Sequence, residues 1–219
     1  MSIAIPTYAP GSINSYSDLV AEIRDMMDDA DYSQVAIDRA LRKAEAEFNR
    51  TLRTPEMETR AVLTITQEIT QAPDDFLQLR YIFSEGLPDA PLKSMSPAAM
   101  LATYAGRAGI PEAYAIEAGG IRIGPVGNAA VEIVYYQKIP PLSDALVSNW
   151  LLQTHPDLYV SGVMYHLARR ERDQAGMAQA AQEVATLTEN INRAAQDNRW
   201  GAAPLIATGI RQVSSRVRI

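Results

Sequence analysis

The stretch RAVLTIT, residues 60–66, is where the sequence changes its hydrophobic period. Ala61, Leu63 and Ile65 recur at every second position, which is typical of a strand. On both sides of the region that begins here and runs to about residue 138, apolar residues recur at every third or fourth position, as in helices. This order predicts an α+β protein.

Two helices are predicted before this stretch. Ser17 is the expected N-cap of the first, and the acidic cluster that begins at Asp28 ends it. Ser33 can cap the second, which we expect to end near Arg53, before Pro55. The apolar stripe of this second helix is Ile37, Ala40, Ala44, Phe48 and Leu52.

The middle of the chain is predicted to be rich in strands. The candidate segments, which share β-branched or aromatic residues, are 77–83, 113–117, 121–124 and 131–137. Ala118, Gly119 and Gly120 separate two of them and predict a hairpin, because glycine tolerates the positive φ of tight turns. One short helix is expected at residues 97–104.

Helical periodicity returns after the strands. Ser143 can cap a helix through Leu151, and Pro156 suits the first turn of another that runs to about Asp173. The last helix carries an apolar stripe, which indicates either an intramolecular core or a seam between subunits. Its residues are Met177, Ala180, Val184, Leu187, Ile191 and Ala194.

The predicted architecture is mainly an α-helical bundle with an inserted β-rich subdomain and an extended C-terminal tail. The expected segments are an N-terminal extension (1–16), the first helices (17–58), the strand-rich insertion (59–140), the C-terminal helices (141–199) and the tail (200–219).

The C-terminal tail differs from the rest of the chain in charge. The whole chain carries −6, and residues 198–219 hold four arginines and no acidic residue, so the remainder carries −10. Apolar residues alternate with these arginines, and such a segment has little to fold against by itself. We therefore predict that it binds a partner or a neighbouring subunit, through Ile206, Ile210, Arg211, Val213, Arg216, Val217, Arg218 and Ile219.

Composition limits the functions that the chain can have. The 219 residues include no cysteine, which excludes disulfides and thiolate metal sites. The acidic pI of about 5.0 argues against sequence-independent binding to nucleic acid. No secretory signal and no apolar run of about 20 residues is present, so we expect a soluble protein without a membrane anchor.

No catalytic, cofactor or metal site is predicted. His155 and His166 would lie about 16 Å apart on one helix, too far to share a metal ion. The aspartates between Asp25 and Asp31 lack the pattern of an EF-hand, and the glycines between Gly119 and Gly127 lack that of a phosphate loop. Trp150 and Trp200 are interpreted as core or interface residues.

Several stretches resemble the head–tail adaptor (connector) proteins of tailed phages and gene transfer agents. APDDFL, residues 72–77, resembles the L-P-x-D-F turn of that family, with alanine in place of leucine. YAI (114–116) through IRIGP (121–125) resembles its Y-x-I … I-x-L-x-P hairpin. VYYQKIPPLS (134–143) resembles its strand exit, Y-Y-x-x-I-P-x-L-S.

The likeness continues into the later helices, with NWL (149–151) and HPDLY (155–159), and covers about residues 17–173. It implies a structural subunit, not an enzyme, that forms a dodecameric ring at the head–tail junction of the virion. The ring is expected to dock on the portal protein, to bind a neck or tail protein below, and to let DNA pass without sequence-specific binding. A C-terminal extension is expected to reach into the portal, and assembly to take place in the host cytoplasm.

Two other interpretations stay open from the residues alone. One is a virion-associated cell-wall hydrolase that uses an Asp/Glu pair, because the spatial pairing of carboxylates is invisible in a sequence. The other is a cytoplasmic helical interaction module unrelated to virions.

Overall fold

The computed structural model describes residues 13–85, 91–127 and 129–200. In these residues the helices are α1 (Tyr16–Met26), α2 (Gln34–Thr51), α3 (Pro97–Tyr104), α4 (Trp150–Thr154), α5 (Pro156–Glu171) and α6 (Gln174–Trp200). The strands are β1 (Glu58–Ile65), β2 (Ile69–Gln71), β3 (Phe76–Ser84), β4 (Lys93–Ser94), β5 (Ala113–Glu117), β6 (Gly120–Gly124) and β7 (Ala129–Gln137). The predicted α+β class is confirmed.

Helix α1 begins earlier than predicted, because Ser15 rather than Ser17 caps it. Ser15 Oγ accepts a hydrogen bond from the backbone N–H of Asp18 at 3.2 Å, and the Asp18 carboxylate accepts from the N–H of Ser15 at 3.0 Å. This reciprocal capping box satisfies two donors that the helix itself leaves unpaired. Ser33 occupies the N-cap of α2 as predicted, but its side chain makes no capping hydrogen bond.

Helices that precede and follow the strands in the chain share one hydrophobic core. Phe48 of α2 meets Tyr159 of α5 edge to face, with ring centroids 5.4 Å apart. Gly162 permits this approach, because a Cβ atom at that position would lie 2.6 Å from Phe48 Cζ. The helical core therefore joins residues that are more than a hundred positions apart in sequence.

The apolar stripe of α6 packs within the chain. Ala180 and Ile191 are buried, and Val184 and Leu187 contact the helical core. At the end of the stripe the prediction was wrong by one residue, since Ala195 is buried and the predicted Ala194 is exposed. The intramolecular interpretation of the stripe is therefore confirmed.

The strands form two sheets that pack face to face. One has the order β1-β7-β3 and is antiparallel, and the other has the order β2-β6-β5-β4, with β4 parallel to β5. Their inner faces build a second hydrophobic core, to which Ile65, Ile82, Ile121, Ile123, Val131 and Ile133 contribute. That this region is a separate inserted subdomain stays a prediction.

Two local predictions in the strand region are confirmed. Strands β5 and β6 form an antiparallel hairpin, and its turn residues Ala118 and Gly119 have φ values of 51° and 77°. Positive φ at two adjacent turn positions matches the twist of the flanking strands. The short helix α3 has the predicted bounds, and its Met100 packs against Ala113 and Ala115 of β5.

The helix predicted from Ser143 to Leu151 is wrong. Residues 143–149 are not helical, and α4 begins at Trp150, capped by Asn149, whose Oδ1 accepts from the N–H of Leu152 at 2.9 Å. Ser143 Oγ accepts from the N–H of Leu146 at 3.2 Å, but this bond closes a single turn and no helix follows it. Pro156 begins α5 as predicted, and that helix ends at Glu171.

Candidate assembly surface

The predicted partner-binding residues, which run from Ile206 to Ile219, lie outside the described residues, and their role stays a prediction. The structure does describe the point from which they continue. Helix α6 ends at Trp200, and its last turn brings Arg199 onto the sheet that contains β1, β3 and β7. The surroundings of Arg199 are therefore the described part of the candidate site.

Arg199 belongs to an arginine–tyrosine cluster, defined as Arg53, Glu58, Arg80, Tyr136 and Arg199. Glu58 Oε1 accepts from Arg199 Nη2 at 2.6 Å and also pairs with Arg80 Nη1. Arg199 Nη2 additionally donates to the hydroxyl of the buried Tyr136. The cluster thus ties the last turn of α6 to two strands of one sheet.

All three guanidinium groups of the cluster lie over the ring of Tyr136. Their central carbons are 5.7 Å (Arg53), 5.5 Å (Arg80) and 5.5 Å (Arg199) from its centroid, within the range of cation–π attraction. Burial alone would lower the pKa of Arg80, but its hydrogen bond to Glu58 raises that pKa above the ordinary value. The cluster contains three guanidinium groups and one carboxylate, so it keeps an excess positive charge.

Five different parts of the fold supply the cluster. Arg53 follows the end of α2, and its Nε donates to Gln78 Oε1 of β3 at 2.8 Å. Arg80 lies at a register shift of β3, between Leu79 and Tyr81, and the extra residue turns it toward Tyr136. Sequence reasoning missed this cluster and counted Arg199 only as part of the basic stretch 198–219. The signal that could have pointed to it is the abundance of arginine, which supplies 17 of the 20 basic residues, but the bulge at Arg80 cannot be seen in the sequence.

A second polar network holds the segment that leaves β7. Asn49 Oδ1 accepts from the N–H of Ile139 at 2.8 Å, and Glu45 Oε1 accepts from the N–H of Leu142 at 2.7 Å. Both acceptors lie on α2, one helical turn apart, and together they form a clamp on this strand exit. Glu45 is 5% exposed, and its burial raises its pKa to about 7.

The clamp continues into the later helices through Asn149. Its Nδ2 donates to the carbonyl of Pro140 at 2.8 Å and to the Tyr159 hydroxyl at 2.8 Å, while its Oδ1 caps α4. Burial raises the pKa of Tyr159, whose hydroxyl also faces Glu45 at 3.5 Å. The motif stretches at 134–143, 149–151 and 155–159 therefore have a structural role, because their residues join β7 to the helical core.

The turn at residues 72–77 has a similar structural role. Asp75 Oδ1 accepts from the Tyr135 hydroxyl at 2.9 Å, and the Phe76 ring stacks on that of Tyr135 with centroids 5.5 Å apart. Burial and the bond to Asp75 raise the pKa of Tyr135 to about 12. These contacts fix the start of β3 against β7.

The residues weighed for chemistry do not meet in one site. His155 precedes α5, whereas His166 lies within it, 3.7 Å from Glu47, and burial lowers the pKa of His166. The aspartates Asp25, Asp28 and Asp29 line an open groove at the end of α1. In the part of the chain that the structure describes, no three His, Asp or Glu side chains lie together so as to hold a metal ion.

The glycines of the middle region serve the fold. Gly119 is a turn residue, whereas Gly120 and Gly124 lie in β6, where an added Cβ would come within 2.8 Å of Ile69 and Tyr104 respectively. None of them precedes the first turn of a helix, as a phosphate loop requires. Among residues 13–85, 91–127 and 129–200, no helix combines the length and apolarity needed to cross a membrane.

These observations define an α+β protein in which a helical core and a pair of sheets are joined by polar clamps. The sequence profile of one family, described as SU10 adaptor protein, matches residues 14–208. The chain therefore belongs to the SU10 adaptor protein family. This agrees with the resemblance to phage head–tail adaptors and does not bear on gene transfer agents. Among curated proteins, none matches the chain significantly.

Proposed function

We propose that the chain is a structural head–tail adaptor of a tailed phage. Its subunits form a dodecameric ring that docks on the portal, joins the capsid to the tail and surrounds the channel through which DNA passes. The observation that carries this proposal is the family match, which spans the helices, both sheets and the start of the tail. A neck or tail protein binds the opposite side of the ring in the assembled virion.

The clamp on the strand exit and the arginine–tyrosine cluster suit a subunit that must keep its shape in an assembly. Glu45 and Asn49 fix the strand exit on α2, and Arg199 fixes the end of α6 on the sheet. Hydrogen bonds that link separate elements restrict their relative motion. The tail therefore leaves the folded body from a defined position, which favours its docking on a partner.

The tail itself supplies the contact with the portal in this proposal. Ordering such a segment costs conformational entropy, so it must bury apolar side chains such as Ile206, Ile210 and Val213. Arg211 and Arg216 then pair with carboxylates or carbonyl groups of the partner, which fixes the register of the bound segment.

The surroundings of Glu45, the carboxyl group whose pKa is shifted most, support a structural rather than a catalytic role. A carboxyl group with a pKa of about 7 is a candidate general acid or base. Glu45 is nevertheless closed off, because its Oε1 is occupied by the N–H of Leu142 and faces Tyr159. Glu45 is also only 5% exposed, so a substrate has little access to it. Cell-wall lysis by the purified chain, abolished by one Asp or Glu substitution, would overturn this role.

The proposal is tested by binding to purified portal rings. The full-length chain is expected to bind, and a chain that ends at Trp200 is expected to fold but to lose attachment. As a matched control, replacing Arg211, Arg216 and Arg218 by lysine keeps the charge and the apolar residues, so binding should weaken but persist.

The two negative results have different meanings. Unchanged attachment of the truncated chain would contradict docking by the tail. Failure of the full-length chain to bind the portal would contradict the adaptor function itself.

A further inference from the structure

The sheet β1-β7-β3 has an outer face that points away from the second sheet. Cross-strand partners point to the same side, so the pairings place Val62, Glu132 and Phe83 in one row. Arg60, Val134 and Tyr81 form the next row. Val62 and Tyr81 are 58% and 47% exposed. We call these six residues the outer sheet face.

The outer sheet face is continuous with the arginine–tyrosine cluster. The row after Arg60 and Val134 pairs Glu58 with Tyr136, two members of the cluster. The Arg80 guanidinium carbon lies 5.0 Å from the Tyr81 centroid and 5.5 Å from that of Tyr136, so it spans both surfaces. Exposed apolar and aromatic side chains with arginines at their border are typical of protein–protein interfaces.

The charge of this combined surface restricts its partner. It carries four arginines, at positions 53, 60, 80 and 199, against two glutamates, at 58 and 132, although the whole chain carries −6. The tail beyond Trp200 carries three arginines and no acidic residue, so it is repelled by this surface. A suitable occupant must instead present carboxylates together with exposed apolar groups.

The chain has such a surface at the other end of α2. Met26 and Val35 are 52% and 57% exposed there, beside the exposed carboxylates of Asp28 and Asp29. We call this region the acidic end. Helix α2 has 18 residues and is therefore about 27 Å long, so the acidic end and the cluster at Arg53 are well separated. One subunit thus presents two different, complementary surfaces.

We propose that the outer sheet face and its arginines bind the acidic end of a second copy of this chain. Contact between two unlike surfaces is heterologous, and repeated copies of such a contact form a ring when the rotation from one subunit to the next closes on itself. The inference rests on the proposed ring and identifies the surfaces that join neighbouring subunits. It differs from the tail contact, which joins the ring to the portal.

The contact is tested with two full-length variants that each damage one surface. Val62→Asp places a carboxylate on the outer sheet face, and Met26→Arg with Val35→Arg places cations in the acidic end. Each change is at an exposed side chain, so thermal unfolding should match the original chain. The matched control is Ile116→Asp, an exposed β-branched strand residue of the second sheet, 49% exposed.

Sedimentation velocity over a concentration series gives the decisive comparison. The original chain and Ile116→Asp should self-associate. The dissociation constant of each interface variant alone should be raised by roughly tenfold or more. Mixed together, the two interface variants should form a one-to-one dimer and nothing larger, since each keeps one intact surface.

Three results would overturn the inference: self-association of Val62→Asp at the original strength, absence of the mixed dimer, or an original chain that stays monomeric at every concentration. Portal binding distinguishes this failure from failure of the adaptor function. If the Val62→Asp subunits still form a complete ring on the portal, only the assigned subunit contact is wrong.

Discussion

Replacing the buried carboxyl of Glu45 by an amide should stabilise the protein at high pH. Burial raises the pKa of Glu45 to about 7, from 4.5 in an exposed position. The folded state therefore binds this proton more tightly than the unfolded chain does. The resulting stability is fully present below about pH 4.5 and is lost as the pH rises through about 7.

The size of the effect follows from the two pKa values. At about 1.4 kcal/mol for each pH unit that separates them, ionising Glu45 in the folded protein costs about 3 kcal/mol. In Glu45→Gln the side-chain oxygen still accepts from the N–H of Leu142, and the charge is absent. We expect this variant to exceed the original chain in unfolding free energy by about 1–3 kcal/mol at pH 8.

Urea denaturation of both proteins between pH 4.5 and 8.5 measures this difference directly. The gain of Glu45→Gln should shrink steadily as the pH falls below about 7 and be smallest at pH 4.5. Glu56→Gln, at an exposed glutamate, is the control and should show no such gain. A difference that does not change with pH, or a loss of stability in Glu45→Gln at pH 8, would refute the reasoning.

Three further outcomes are expected. Asn149→Ala removes the cap of α4 and the hydrogen bonds to Pro140 and Tyr159. Urea denaturation should therefore show a free energy of unfolding that is lower by roughly 2–4 kcal/mol. A decrease of less than about 1 kcal/mol would show that Asn149 does not hold this segment. Gly162→Ala should lower the melting temperature, because the added Cβ clashes with the Phe48 ring and this outweighs the helix preference of alanine. A higher melting temperature would show that the Phe48 ring moves aside at little cost. Glu58→Gln should speed amide hydrogen exchange in the last turn of α6 at least roughly tenfold, and equal exchange would mean that Glu58 does not hold this turn.

The parts of the fold that could be predicted from sequence are those set by neighbouring residues. The hairpin followed from the glycines after Ala118, and the start of α5 followed from Pro156. In both cases the backbone conformation depends on a local steric preference. The apolar stripe of α6 could also be predicted, because buried residues recur with the helical period.

The wrong predictions concern groups whose partners are distant in the chain. Ser143 Oγ accepts from the N–H of Leu146 at 3.2 Å, as an N-cap would, but no helix follows, and the preceding N–H of Leu142 is bound by Glu45, 97 positions away. Asn149, which was noted only as part of a motif, is the actual cap because the Tyr159 hydroxyl and the Pro140 carbonyl orient its amide. Such long-range hydrogen bonds leave no periodic signal in the sequence.

The arginine–tyrosine cluster was not predicted from the sequence. The tail was predicted to bind a partner from its charge and apolar pattern, and this role stays a prediction. The cluster around Tyr136 requires the bulge at Arg80 and the docking of α6, and neither is visible before the sheets are paired.

Electron cryomicroscopy of particles that carry this protein tests its central role most directly. The account predicts a closed ring of identical subunits between the portal and the tail, with density that fits the helical core and the paired sheets. Residues 201–219 should extend from the end of α6 toward the portal. Density for this fold in the tail fibres or the capsid shell, and none at the head–tail junction, would contradict the account.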